Sequence, residues 1–251
     1  MSEPSPPTGS QPAAPPDSRP GDAGASPLPE SDAALGRRAQ ILATEHWGLL
    51  AARSTAQSEV LTRITIFLTL VSAGLITIGL LGQASDFSDW FTPAMLAILG
   101  FLCLIGFMTV VRVMNVSEED MMYVVAMNRL RGAYVDLDPG VEQYFLASVN
   151  DDQAGMKLTY SFLRARSVSH LLGSSALLLF VVDACVFGLF AGAIVVSAGG
   201  AVGWAIAVGV LVGLALIAGL FWYSGAGFRG AWRRYVPRRQ TPPGPPPYWR
   251  S

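Results

Sequence analysis

The sequence predicts an all-α membrane protein: four transmembrane helices in two hairpins, with cytoplasmic amphipathic helices and disordered Pro-rich termini. Three observations predict it. Four apolar runs, 64–82, 91–111, 171–196 and 201–223, each meet or approach the ~20 residues a helix needs to cross ~30 Å of hydrocarbon. All 17 basic residues fall outside the two segments that join these runs in pairs. Charged residues are 14% of the chain, against about 25% in a soluble globular domain, so the extramembrane parts are small.

Residues 1–33 carry nine of the 17 prolines, mixed with Ser, Gly, Ala and acids. Such a segment buries too little apolar surface to offset its ordering entropy, and it is expected to be a disordered tail. From Asp32, a candidate N-cap, the pattern turns helical. Ile41, Leu42, Trp47, Leu49 and Leu50 recur at spacings a helix collects on a broad face, with Arg37, Arg38, Glu45, Arg53 and Glu59 among them. The expectation is an amphipathic cytoplasmic helix over 34–62 that lies on the membrane, packs on the central connector or pairs with another protomer.

The first hairpin occupies 63–114. In its first span Thr62, Thr65, Thr69 and Ser72 form a stripe of hydroxyls at helical spacing. Hydroxyls in lipid bond to their own backbone or to a neighbouring helix, so the stripe is a packing seam or a pore lining. Thr92 is a candidate cap for the second span, with Pro93 in the first turn, where a missing N–H does no harm. The joining segment QASDFSDW carries Asp86 and Asp89 and no Lys or Arg.

The connector, 115–168, reads as helical. Ser117 is a candidate N-cap with Asp120 three residues on. Met122, Val125, Leu130 and Tyr134 supply part of an apolar face, and Asp138-Pro139 marks another helix start. Glu118, Glu119 and Asp120 are assigned to a first helical turn, where the helix dipole favours acids, rather than to a metal site. Asp151 and Asp152, in the turn-like NDDQAG, receive the same reading.

The second hairpin occupies 169–223. Ala184, Gly188 and Gly192 recur every four residues on one of its helices, and Ala205, Gly209 and Gly213 do so on the other. The uncharged SAGG joining segment makes the two helices antiparallel neighbours, so the stripes are expected to meet and staple them rather than make a dimer interface. Asp183 lies at the middle of the third span, with no Lys, Arg or His inside any span to pair with it. A charge there costs ~2.5–3.5 kcal/mol on insertion scales. A neutral carboxyl bonded to Thr69, Ser72 or Thr77, or to Asp183 of another protomer, is one reading; a cation or proton site is the other. Cys103 and Cys185 both fall within spans, where neither a disulfide framework nor a zinc site is expected.

The C-terminal region, 224–251, holds six Arg and no acid. Arg233, Arg234, Arg238 and Arg239 lie where basic residues meet anionic lipid headgroups. The positive-inside bias places the N- and C-termini and the connector in the cytoplasm, and the protein is expected in the inner (plasma) membrane. Trp90, Trp222, Tyr223 and Trp232 stand where interfacial aromatics anchor helices. Pro245, Pro246, Pro247 and Tyr248 match a PPxY pattern, taken as chance. His46 and His170 have no acid or thiol at catalytic or metal-binding spacing. No phosphate loop, GxSxG, HExxH or strand-linked GxGxxG occurs.

The stretch from Glu45, EHWGLLAARSTAQSEVLTRITIFLTLVSAGLITIGLL, and the segment Met127-Asn128-Arg129-Leu130-Arg131-Gly132-Ala133-Tyr134 with Tyr144-Phe145 resemble a family of bacterial (actinobacterial-like) multi-pass membrane proteins without an assigned activity. The resemblance covers about 45–165; the second hairpin is similar in hydropathy alone. The order helix, two spans, helix is similar to that of SLATT-type membrane effectors, which implies pore formation. The reading of the residues is a non-enzymatic membrane protein without cofactor, metal or nucleic-acid partner, which oligomerises or docks partners through its cytoplasmic helices. The rival is a small cation or proton channel, or pore-forming effector, built on Asp183.

Overall fold

A computed structural model describes residues 31–161 and 173–243. The expectations for 1–30, for 162–172 with His170, and for 244–251 with the PPxY match lie outside the described residues. Within them all regular structure is helical, and four helices are long and apolar enough to cross a membrane.

Helix α1 runs unbroken over Asp32–Ala84, 53 residues. At 1.5 Å per residue it is ~80 Å long, far more than a bilayer core. The expected amphipathic helix 34–62 and the first span are therefore one rod. No Gly or Pro falls between Gly48 and Gly74 to break it. Its N-cap is Ser31, whose hydroxyl accepts from the Ala34 N–H; Asp32 is the first helical residue and does not cap.

Helix α2, Phe91–Leu137, likewise joins the second span to the first part of the connector. Ser117 is not an N-cap: it sits mid-helix, and its hydroxyl donates to the Val113 carbonyl at 2.8 Å. The stretch between Gly106 and Gly132 contains no residue that stops a helix. Thr92 does not cap either, because the N-cap is Trp90, without a side-chain bond. A short 3-10 helix follows at Pro139–Tyr144, with Asp138 accepting from the Gly140 N–H, and then α3 at Gln153–Ser161.

Helix α4, Ser175–Ser197, is capped by Ser174, and α5 spans Val202–Arg234, continuing past its apolar run into the charged region. Between them the chain turns in a Schellman motif. The Gly200 N–H donates to the Val195 carbonyl and the Gly199 N–H to the Val196 carbonyl. Gly199 has φ +84°, which only glycine adopts without strain.

Packing divides the molecule into two cores. In the apolar zone α2 lies between α1 and α4, and α5 leans on α4. Phe67, Leu102, Val110, Leu179 and Val186 are the centre of this core. At the charged end a second core forms around Met121, Val124, Val125, Met127 and Met156. Leu49 of α1, Tyr160 of α3, and Phe228 and Trp232 of α5 pack on it. Three rods, α1, α2 and α5, thus continue past the apolar zone and meet α3 in a charged body, and of the three placements expected for the 34–62 helix its inner face takes the one on the connector. Trp232 belongs to this body, edge-on to Phe228 and Tyr235, rather than to an interfacial belt. Trp90, Trp222 and Tyr223 remain exposed at their helix positions.

Candidate functional site

Asp183 is fully buried at the junction of α1, α2 and α4. The space it fills exists because position 106 of α2 is glycine. A Cβ on Gly106 would lie 1.9 Å from Asp183 Oδ1 and 2.9 Å from the Phe67 ring. Among the described residues neither carboxylate oxygen has a hydrogen-bond partner. Leaving a buried polar group unpaired costs ~1–3 kcal/mol, more if charged. The group is therefore expensive to keep, and chemically it offers a carboxyl able to take up a proton or a small cation.

The hydroxyls expected beside it are elsewhere. Ile64, Phe67 and Val71 form the inward face of α1. Thr65 and Ser72 follow two of these by one residue, which is ~100° around the helix. Thr62, Thr65, Thr69, Ser72 and Thr77 are all exposed on the outside of the bundle. Each hydroxyl donates to the carbonyl four residues back, with Thr69 at 2.8 Å from Thr65 O and Ser72 at 3.0 Å from Leu68 O. Neither Thr69, Ser72 nor Thr77 hydrogen-bonds Asp183. Back-bonding satisfies a helical Thr or Ser without any neighbour, and that is why the stripe does not have to face inward.

The small residues do come together. Gly188 faces Gly209, where a Cβ on either would stand 2.7 Å from the other's carbonyl oxygen. Gly192 faces Ala205 and Gly213 faces Ala184, each at 3.1 Å in the same sense. The pairs 184/213, 188/209 and 192/205 share one antiparallel register.

At the charged end, ion pairs tie the rods. Asp120 of α2 accepts from Arg53 Nε at 2.6 Å, from Gln57 Nε2 at 2.9 Å and from the Tyr160 hydroxyl. Burial acts to raise the Asp120 pKa, but the bonds from Arg53, Tyr160 and Gln57 together outweigh it and hold the group below the usual range. Glu59 accepts from Arg112 at 2.9 Å and from Arg63 at 2.9 Å, and these bonds bring it to about 2. Arg112 also reaches Glu119 at 3.2 Å, and the Glu118 carboxylate lies against Gly227 of α5. The triplet Glu118–Glu119–Asp120 is therefore not a first-turn feature, since no helix begins there; each acid faces a different neighbour.

Asp151 is the largest departure from the sequence reading. It is fully buried and accepts from Arg129 Nε at 2.7 Å, the Tyr235 hydroxyl at 2.6 Å, and the backbone N–H groups of Arg238 and Arg239 at 3.1 and 2.7 Å. Burial raises its pKa, but these donors prevail and bring it to about 2. Asp152 caps α3 and also accepts from Thr241. The chain after α5 is thereby strapped to the connector. The Arg239 guanidinium pairs with Asp136 and is engaged within the protein, whereas Arg233, Arg234 and Arg238 are exposed. No linear pattern connects residue 151 with 235–241, so the strap had no sequence signal.

His46 stacks at 6.2 Å on Tyr134; burial first, and then Arg131, lower its pKa. Cys103 is buried and Cys185 exposed, both as free thiols. Among the described residues no group of three or more His, Cys, Asp or Glu is placed to hold a metal ion. No protein-family model, no curated protein and no solved structure matches the chain.

Proposed function

We propose that this multi-pass membrane protein acts without catalysis, by oligomerising or docking a partner through α1 where it emerges from the bundle. The observation that carries this is the exposure of Trp47 (71%) and Ile41 (64%), with Leu50 one turn beyond Trp47. Large exposed apolar side chains on a helix in water mark a contact surface. The base of that helix is held by the Arg53–Asp120 pair and the His46–Tyr134 stack, so the surface is presented rigidly. The one-sided placement of Lys and Arg supports a plasma-membrane protein with this body and both termini in the cytoplasm. Arg233, Arg234 and Arg238 then meet anionic lipids at ~1 kcal/mol each.

Subunit counting in lipid nanodiscs, with a parallel pull-down from solubilised membranes, tests the reading. The double variant Trp47→Ser/Leu50→Ser should dissociate the assembly or lose the partner. Assembly and partner both unchanged in the variant would refute it.

A second reading rests on the unpaired carboxyl of Asp183: a cation or proton path that forms when helices of several copies rearrange around it. Proton and cation flux into liposomes tests it, with Asp183→Asn alongside. Flux that vanishes in a folded variant supports a path through the carboxyl; no flux from the wild type removes it.

A further inference from the structure

The end of the bundle opposite the charged body holds an open groove of about 1380 Å³ between the start of α2 and the α4–α5 hairpin. The glycine and alanine seam of the hairpin runs along it. Gly188, Gly192, Gly209 and Gly213, along which α4 and α5 meet, line it together with Leu99, Leu189 and Val210. Its lining is apolar along the depth of the spans. Polar groups occur at one end only, where Ser88, Asp89, Thr92 and Ser197 surround the mouth. This end of the molecule carries Asp86 and Asp89 and no Lys or Arg in either joining segment.

We propose that the groove binds a diacyl phospholipid whose headgroup carries an ammonium, of the phosphatidylethanolamine class. The acyl chains lie along the apolar lining over the α4–α5 seam. Shape alone would accept any diacyl lipid; charge chooses among them. An ammonium at the mouth is attracted by Asp89, with Asp86 on the same loop adding to the field. An anionic headgroup meets two acids and no cation. One charge near a membrane surface is worth about a fivefold preference.

The test uses the full chain in nanodiscs containing equal amounts of ethanolamine and glycerol phospholipids. The protein is transferred to mild detergent, and its retained lipids are counted by native mass spectrometry. The wild type should retain at least one lipid, with the ethanolamine class favoured about fivefold. Asp86→Asn/Asp89→Asn changes no volume and touches only exposed side chains; it should keep the lipid and lose the preference. Val210→Trp fills the groove from its open side and should lower retention of both classes. Four outcomes overturn the proposal: equal retention of the two classes by the wild type, an unchanged preference in the double Asn variant, undiminished retention in Val210→Trp, or a lipid-free dimer closing the groove.

Discussion

Replacing Gly209 with alanine adds one methyl group where the backbones of α4 and α5 meet. The new Cβ would stand 2.7 Å from the Gly188 carbonyl oxygen, which is backbone and cannot rotate away. Ordinary contact begins near 3.4 Å, so the helices must part by about 0.7 Å or bend. Overpacking of this kind costs about 1–3 kcal/mol. Alanine also gains about 1 kcal/mol of helix propensity over glycine, which masks part of that cost. Gly219→Ala on the same helix isolates the difference, because a Cβ there has nothing within 4 Å. The propensity gain is common to both variants, so their difference reads the clash itself, about 1–3 kcal/mol. Gly213→Ala, at 3.1 Å from the Ala184 carbonyl, should fall between them. Reversible unfolding in mixed micelles, followed by loss of helicity, provides the scale. Stabilities of Gly209→Ala and Gly219→Ala within ~0.5 kcal/mol would refute the close approach of α4 and α5, since that is within the scatter of independent sites.

Three further outcomes follow from the same structure. Gly106→Ala should destabilise the bundle by pressing on Asp183, and adding Asp183→Ala should recover part of the loss; strictly additive effects would separate the two positions. Asp151→Asn should remove charge-assisted bonds worth ~1.5–3 kcal/mol each and expose the strap at 235–241 to protease, an effect absent if the strap is held elsewhere. The folded pKa of Asp151, about 2, lies below its unfolded value, so its contribution is present above about pH 4. That contribution should fade as the pH drops through 2, and the Asn variant should lose this part of the acid dependence; identical acid profiles would contradict the assignment.

The all-helical fold class and the four long apolar helices were legible because apolar runs are local signals. So were the two small-residue stripes, since a short loop forces neighbouring helices to be antiparallel and a four-residue repeat fixes the face. Helix ends inside the charged region were misplaced. Ser117 has capping chemistry, but an N-cap operates only where a helix begins, and nothing between Gly106 and Gly132 interrupts α2; at the start of α1 the cap is Ser31, one residue before Asp32. The hydroxyl stripe was visible, yet its direction was not, because a back-bonded Thr is equally content facing lipid or protein. Asp183 stood out by its depth. Its nearest neighbours did not, because Gly106 admits it by lacking a side chain. The Asp151 strap joins residues more than 80 apart through backbone N–H groups, which any residue type supplies.

The proposed function places an association surface on the exposed stretch of α1. Photo-crosslinking in intact membranes tests it most directly, with the reactive group at position 47. A discrete adduct is expected, to a second copy or to one partner, and it should be lost when Leu50→Ser and Ile41→Ser are added. An unmodified monomer at position 47, under conditions where a probe at the Asp183 level crosslinks neighbouring copies, would contradict it.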